Sequence, residues 1–499
     1  MALAPAERLR ILGDRPVAPR GRYVLYWMTA ARRTRYNAAL EHAVARAREH
    51  RVPLLVLEAL RAGDEHACER FHAFVLQGMH DQARAFARRG ITYLPYVEPR
   101  HGAGRGLLEA LAAEAVLVVA DDWPGYFLPR MVAAAARRLP VRMEAVEGCT
   151  VLPLQVAGKA WPTAYAYRRH LQRELPAWLE RARLPEEEPL AGGGLGGATL
   201  PAGVARRWPQ ASEALLEARP EALAALRISH RVAPVPGVTG GERAAAKVLE
   251  RFLEQRLVRY GERNDPTVEA ASGLSPWLHW GHVAPHEVAL AVLRVERWKA
   301  SDLSSKVDGR REGWWGCSAP AEGFLDQVIT WREVGHAASR FGPDPTTLEA
   351  LPAWAQETLG EHARDPRPTT YTLEPLEQAR THDPLWNAAQ RQLLREGVMH
   401  NYLRMLWGKK ILEWSATPDE ALAHMLLLND RYALDGRDPN STCGITWVMG
   451  RFDRPWAPIR PIFGSVRYMS SANTARKMDV KPYLARYGEG TQGALFDGD

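Results

Sequence analysis

Through the first ~150 residues, short unbroken apolar runs alternate with stretches whose apolar positions recur every three or four residues. Tyr23-Val24-Leu25-Tyr26-Trp27, Pro53-Leu54-Leu55-Val56-Leu57, Ile91-Thr92-Tyr93-Leu94-Pro95-Tyr96-Val97, Val116-Leu117-Val118-Val119-Ala120 and Val141-Arg142-Met143-Glu144-Ala145-Val146 each read as a strand. Ala- and Arg-rich helical patterns lie between them, Asn37 to His50 the plainest. Continuous apolar strands predict burial on both faces, hence a parallel sheet between two layers of helices. Residues 1–150 are therefore expected to form a Rossmann-like α/β domain. No Gly-rich loop follows the first strand, so the dinucleotide-binding fingerprint is absent.

The pattern then changes. Residues 151–235 read as a connector, with a helical segment at Ala164 to Leu171, a flexible insertion at Gly192-Gly193-Gly194-Leu195-Gly196-Gly197, and punctuation at Pro234 and Pro236. Beyond about residue 240 the strand signal vanishes. Ser275-Pro276 and Asp383-Pro384 each place a cap residue before a Pro at the first helical position. Thr417-Pro418-Asp419-Glu420 adds the Glu of a capping box. Residues 236–490 are expected to be all-helical, with a polar, Trp-containing insertion from Ser301 to Glu322 and a tail at 491–499.

Composition narrows the class. The chain has 499 residues, 46% hydrophobic and 25% charged, with a net charge of +7. That is the balance of a soluble globular protein with a mild lean towards nucleic acid. The four cysteines, Cys68, Cys149, Cys317 and Cys443, have neither metal-ligand nor disulfide-framework spacing, so neither a metal nor an iron–sulfur cluster is expected. Met1 to Arg20 holds no apolar core of a secretory signal, and no apolar run is long enough to span a membrane. A cytoplasmic monomer is the expectation.

Several side chains stand out chemically. Trp407 and Trp414 are seven apart, so on one helix they share a face about 10 Å apart along the axis. Trp386 belongs to the preceding helix, joined through Gly397, which puts it between or beside them. Spacing alone favours three core aromatics. Arg404 inside an apolar helix requires a partner if buried, and Asp435 in the next Asp-Gly turn is available. Ser272-Gly273-Leu274-Ser275-Pro276 offers free backbone N–H groups to an anion, although a bare helix cap explains it as well.

The string His400-Asn401-Tyr402-Leu403-Arg404-Met405-Leu406-Trp407-Gly408-Lys409-Lys410-Ile411-Leu412-Glu413-Trp414, followed by Asn429-Asp430 and Leu434-Asp435-Gly436-Arg437-Asp438-Pro439-Asn440, resembles the flavin-domain signature of the photolyase/cryptochrome family, nearest to class II cyclobutane-dimer photolyases. Tyr260-Gly261-Glu262-Arg263-Asn264-Asp265-Pro266 and Ser272 to Gly281 match it too. The resemblance is strong over 255–290 and 380–484, moderate at 320–335 and weak elsewhere. It implies an antenna-type α/β domain and an all-α C-terminal FAD-binding domain. It implies that FAD is held by Tyr260, by Ser272, Gly273, Leu274 and Ser275 at its diphosphate, and by Arg404, Asn429 and Asp435 at its ring. Trp386, Trp407 and Trp414 would be an electron-transfer chain. Trp331, Trp447, Met405 and Asn401 would meet a flipped pyrimidine dimer, with Arg263, Asn264 and Arg454 on the DNA. An antenna chromophore, a deazaflavin or a folate, is the family's optional second cofactor.

One departure bears on chemistry: Gln327 stands where class II enzymes carry a Glu that hydrogen-bonds the dimer. A Gln at that place resembles (6-4) photolyases and animal cryptochromes. However, Asn401 and Met405 fill the positions where (6-4) enzymes need a pair of His, and neither can act as acid or base. The expected activity is therefore light-dependent reversal of cyclobutane dimers in DNA. Two alternatives belong to other classes: a cryptochrome-like photosensor, against which the short stretch 485–499 after the last family-like segment argues, and a flavin-free DNA-binding scaffold, which an absorption spectrum would identify.

Overall fold

A computed structural model describes residues 3–180 and 183–490; the expected tail at 491–499 lies outside them. The chain divides into two compact units, each assembled from separated segments. The first comprises residues 1–158, 171–251 and 273–301; the second comprises 159–170, 252–272 and 302–499.

The first unit is built on six strands: β1 (Leu9–Leu12), β2 (Tyr23–Met28), β3 (Leu54–Leu60), β4 (Thr92–Val97), β5 (Ala115–Asp121) and β6 (Met143–Val146). Their order in the sheet is β1-β6-β5-β2-β3-β4. The five strands expected from the apolar runs are all present and mutually parallel. Helices α1 (Ala38–His50), α2 (Glu69–Ala87), α3 (Leu107–Ala112) and α4 (Leu128–Arg138) provide the crossovers. The side-chain period of two splits β2 between two cores: Tyr23, Leu25 and Trp27 pack on one face, Val24, Tyr26 and Met28 on the other.

The expected α/β fold is present, with one strand added at its edge and one segment corrected. The sheet is mixed, because β1 pairs antiparallel with β6 at the edge, Leu9 opposite Val146. This four-residue strand escaped the pattern because half its positions face solvent. The Gly-rich run is not a flexible insertion. Leu195 is buried in the sheet's core, and its carbonyl accepts a hydrogen bond from Leu54 N at 2.9 Å. Gly196 passes so close to Gly90 that a Cβ would sit 2.6 Å from the Gly90 carbonyl oxygen.

Between β2 and β5 the strand order reverses, the crevice where open α/β sheets usually bind ligands. Here the protein fills the phosphate position itself. Asp121 Oδ2 accepts the backbone N–H groups of Thr29, Ala30 and Ala31 at 2.7, 2.7 and 3.0 Å, and Oδ1 accepts from the Tyr26 hydroxyl at 2.7 Å. An internal carboxylate occupies a nest that elsewhere holds a nucleotide phosphate, in keeping with the missing Gly-rich loop.

The same unit holds two desolvated carboxyl groups at some energetic cost, Glu58 buried and Glu242 half-buried. Desolvation pushes Glu58 and Glu242 each up to about 7, against an ordinary 4.5. Between those values the folded state holds protons that the unfolded chain has released, so folding stability falls as pH rises through this window. Each group contributes on the order of 3 kcal/mol to that loss. Glu58→Gln retains an acceptor for the Tyr93 hydroxyl, which bonds Glu58 at 2.7 Å. It is expected to flatten the decline; urea midpoints of parent and variant at about pH 5 and pH 8 check it. An equal pH dependence in both would refute the assignment.

The second unit is helical, and no strand follows β6 among the described residues. Its helices include Arg332–Phe341, Pro384–Glu396, Asn401–Trp414, Pro418–Tyr432 and Pro439–Val448. The expected caps at Asp383 and Thr417 form: Asp383 accepts from Leu385 N and Trp386 N, and Thr417 from Glu420 N. The expected cap at Ser275 does not. In the first unit, Leu274 is the N-cap of the Ser275–His279 helix, Pro276 is its second residue, and no side chain caps it. In the Ser301–Glu322 insertion, helix begins at Ala319, and Glu322 accepts from the backbone N–H groups of Gly313 and Gly316.

Candidate functional site

Gly397, at φ +64°, ends the Pro384–Glu396 helix and turns the chain into Asn401–Trp414. The two helices place Trp386 between Trp407 and Trp414. Its ring centroid lies 6.5 Å from Trp407, parallel within 3°, and 5.5 Å from Trp414 at 69°. All three rings are at most 2% exposed. Two indole N–H groups are fixed: Trp386 Nε1 donates to the Trp407 carbonyl at 3.0 Å, and Trp407 Nε1 to Gln390 Oε1 at 2.9 Å. Ring contacts run on from Trp414 to half-buried Tyr371 at 5.4 Å and exposed His382 at 5.2 Å. Nothing in the sequence around Tyr371, a loop residue, signals this.

Arg404 sits on the same helix as Trp407. Its guanidinium is 3.7 Å from Asp435 Oδ2, beyond hydrogen-bond distance, and the two side chains are 24% and 9% exposed. Asp435 Oδ1 is buried with no hydrogen-bond partner. An unsatisfied buried carboxylate oxygen marks a place for a donor that the protein does not supply. Asn429 is buried nearby in sequence, its Nδ2 donating to Asp430 Oδ1 at 2.8 Å and to Ser441 Oγ at 3.0 Å. The Asp435-Gly436 turn folds tightly over the end of its helix; a Cβ on Gly436 would lie 2.9 Å from the Asn429 carbonyl oxygen.

Trp331 and Trp447 meet although 116 positions separate them. Their centroids are 4.8 Å apart at 23°, and both rings are half-buried. The contact depends on helix packing. Gly335 lets the Arg332–Phe341 helix approach Pro439–Val448 so closely that a Cβ would meet the Pro439 carbonyl oxygen at 3.0 Å and Cys443 Cβ at 3.1 Å. Gly408 does the same for the Trp helix, where a Cβ would lie 2.6 Å from Val448 Cγ2. The rings leave no room for a base between them, so a base stacks on the outside of the pair or parts it. Gln327 and Trp331 share a π-helical turn, Asp326–Trp331, a widened geometry common at functional sites. Arg168 anchors that turn through Asp326 at 2.7 Å.

The remaining expected residues are placed as follows. Asn401 is exposed at the start of the Trp helix, and half-buried Met405 lies one turn on. Tyr260 is buried against Phe252 and Phe324, and desolvation by burial pushes its hydroxyl up to about 12. Arg263 lies over the Tyr260 ring at 4.7 Å, Asn264 is exposed, and Arg454 lies over Trp456 at 5.0 Å. The phosphate-turn residues are divided: Ser272 closes a segment of the helical unit, while Gly273, Leu274 and Ser275 open one of the α/β unit.

Lys409 escaped the sequence reading, since a Lys-Lys pair usually marks a solvated face. It is 1% exposed and its ammonium donates to the Val448 carbonyl, capping the helix that carries Trp447. Burial pulls its pKa down to about 7.

No protein-family model matches the chain. Among curated proteins, it is 33% identical over 485 residues to the deoxyribodipyrimidine photo-lyase of Methanothermobacter thermautotrophicus, spanning 96% of this chain and 98% of that one. It is 33% identical over 504 residues to the protein of the same name from Oryza sativa, spanning 96% and 90%. Among solved structures, the class III photolyase of Agrobacterium tumefaciens superposes with a TM-score of 0.67 at 17% identity, over 94% of this chain and 86% of that one.

Proposed function

The chain belongs to the photolyase/cryptochrome family, and from that premise we propose that it repairs DNA in light, reversing cyclobutane pyrimidine dimers with FAD bound in its helical unit. The observation that carries the reading is the stacked Trp331–Trp447 pair, a half-buried aromatic platform in the same unit as the buried Trp line and the unsatisfied Asp435 oxygen.

The residues present fit the cofactor. Asp435 Oδ1 lacks a donor, and Arg404 is ion-paired with the carboxylate at 3.7 Å without hydrogen-bonding it; the two would hold the ring, with Asn429 by its reactive nitrogen. Ser272, in the same unit, would meet the diphosphate and Tyr260 would back it. When bound, reduced FAD supplies, on absorbing blue or near-UV light, the one electron that opens the cyclobutane ring, and then takes it back.

The side chains bind, orient and relay. Trp331 and Trp447 hold the flipped dimer by stacking, Met405 wedges against it, and Asn401 offers an amide. Arg263, Asn264 and Arg454 meet the DNA. Trp414, Trp386 and Trp407 carry electrons inward, a task their fixed, contacting rings suit. Gln327 makes no side-chain hydrogen bond among the described residues, so its amide N–H is available to a dimer carbonyl. It cannot ionise or supply a proton.

The antenna domain is the α/β unit; a deazaflavin or a folate is its expected chromophore. No helix among the described residues is long and apolar enough to cross a membrane. The test is to purify the protein, identify non-covalent FAD by its absorption bands, and illuminate the reduced protein with a cyclobutane-dimer oligonucleotide. Gln327→Glu is expected to keep or raise the repair yield, because a carboxyl group adds a proton donor at the dimer; a large fall in yield would place the residue in some other role.

A further inference from the structure

The last carbonyls of a helix find no partner within it. At the end of the Pro439–Val448 helix, which carries Trp447, the Thr446 carbonyl accepts from Met449 N and Arg451 N at 3.0 and 3.1 Å, and the Trp447 carbonyl from Gly450 N at 3.0 Å. The Val448 carbonyl is met from another helix, by the ammonium of Lys409. Pro439–Val448 contains no charged residue, so the cation at its negative end is supplied by the Trp helix. Burial of Lys409 keeps bulk water from replacing that bond.

The helix end is held on other sides as well. Gly408, next to Lys409, brings the Trp helix down onto Val448. Gly450, at φ +110°, turns the chain so close to the helix behind it that a Cβ would lie 2.9 Å from Ala355 Cβ. Trp447 is one residue from the carbonyl that Lys409 holds, and its ring stacks on Trp331 at 4.8 Å. Any slackening of that bond therefore reaches the stacked pair directly.

The ammonium is poised to lose its proton. Desolvation pulls it down to about 7 from an ordinary 10.5; of the charges facing it, Asp453 in the loop after the helix favours the ammonium and Arg467 opposes it. Lys410, next on its own helix, is taken up by Glu413 at 2.8 Å. The neutral amine still donates, but a bond from an ammonium is about twice as strong, and only the ammonium also meets the helix dipole. We propose that Lys409 is a positioning residue for lesion recognition, its ammonium fixing the end of the Trp447 helix, so that the grip on a flipped dimer weakens as the ammonium gives up its proton. The inference rests on the repair reading above and adds a pH dependence to it.

The sign separates this from a loss of fold. Between about 7 and 10.5 the unfolded chain keeps this proton and the folded chain does not, so the group's contribution to folding stability rises with pH while the grip falls. The test titrates the full chain with damaged and undamaged duplexes from about pH 6 to pH 8.5 and follows the ratio of the two affinities, in which general phosphate binding cancels. The parent's preference for damage should fall about 3- to 10-fold across neutrality. Lys409→Met fills the space without a donor, and its preference should be low and independent of pH. Asp453→Asn keeps the acceptor that Oδ1 offers to Arg454 N and Trp456 Nε1, at 2.9 and 3.1 Å, but removes the charge that favours the ammonium. Its midpoint should move to lower pH, and it decides the matter should Lys409→Met fail to fold. A parent whose preference does not change with pH, or a midpoint unmoved in Asp453→Asn, would overturn the role of Lys409 alone. A parent with no preference for damage at any pH would overturn the repair reading with it.

Discussion

Trp407→Phe is expected to slow light-driven bleaching of the oxidised FAD absorption at least tenfold, equivalent to about 1.4 kcal/mol of added barrier. Trp407 stands at one end of a line whose middle member, Trp386, touches both others. Phenylalanine fills much of the volume but is far harder to oxidise, so the line is broken while the packing is largely kept. The structural cost is modest: Gln390 Oε1 loses its indole donor, worth about 1–3 kcal/mol, while its amide still donates to the Glu377 carbonyl at 3.2 Å. FAD content should therefore be retained. Repair by chemically pre-reduced protein should survive, since in the proposed function the line serves only to recharge the cofactor. Trp386→Phe should have the same effect. Bleaching as fast as the parent's would mean that the three rings are core aromatics and nothing more.

The second large effect belongs to the proposed lesion platform, the stacked Trp331–Trp447 pair. Trp331→Ala and Trp447→Ala should each weaken binding of a cyclobutane-dimer duplex by about 1–3 kcal/mol, roughly 5- to 150-fold, as lost base stacking predicts. Affinity for the undamaged duplex should hardly change, because a duplex with nothing flipped out does not use the platform. Since the two rings touch, the double variant should cost less than the sum of the singles. Equal losses for damaged and undamaged DNA would make these residues part of the general surface instead. Melting curves identify any variant that has simply lost its fold.

The α/β sheet was legible because its strands are buried on both faces, so each announces itself as an unbroken apolar run. β1 was not, being four residues long and half in solvent. The Gly-rich run misled because composition reports backbone freedom, whereas Leu195 in its middle is pulled into the core. Caps at Asp383 and Thr417 could be read since side chain and backbone are near neighbours; Ser275 shows that the same letters need not form the bond. Within the candidate site, heptad spacing gave the shared face of Trp407 and Trp414. That Trp386 falls between them depends on how two helices pack, which spacing leaves open. Nothing local joins Trp331 to Trp447; their meeting depends on Gly335 and the helix crossing it permits. Lys409 was hidden because burial, not residue type, makes it unusual.

The most direct test gives fully reduced, FAD-loaded protein two oligonucleotides, one with a cyclobutane dimer and one with a (6-4) product, in light and in darkness, and analyses the products. Asn401 and Met405 offer no acid or base for (6-4) chemistry, whereas reopening a cyclobutane ring requires none. The expected result is restored pyrimidines from the cyclobutane dimer in light only, with the (6-4) product untouched. Repair of the (6-4) product, or repair of neither lesion, would contradict the assignment.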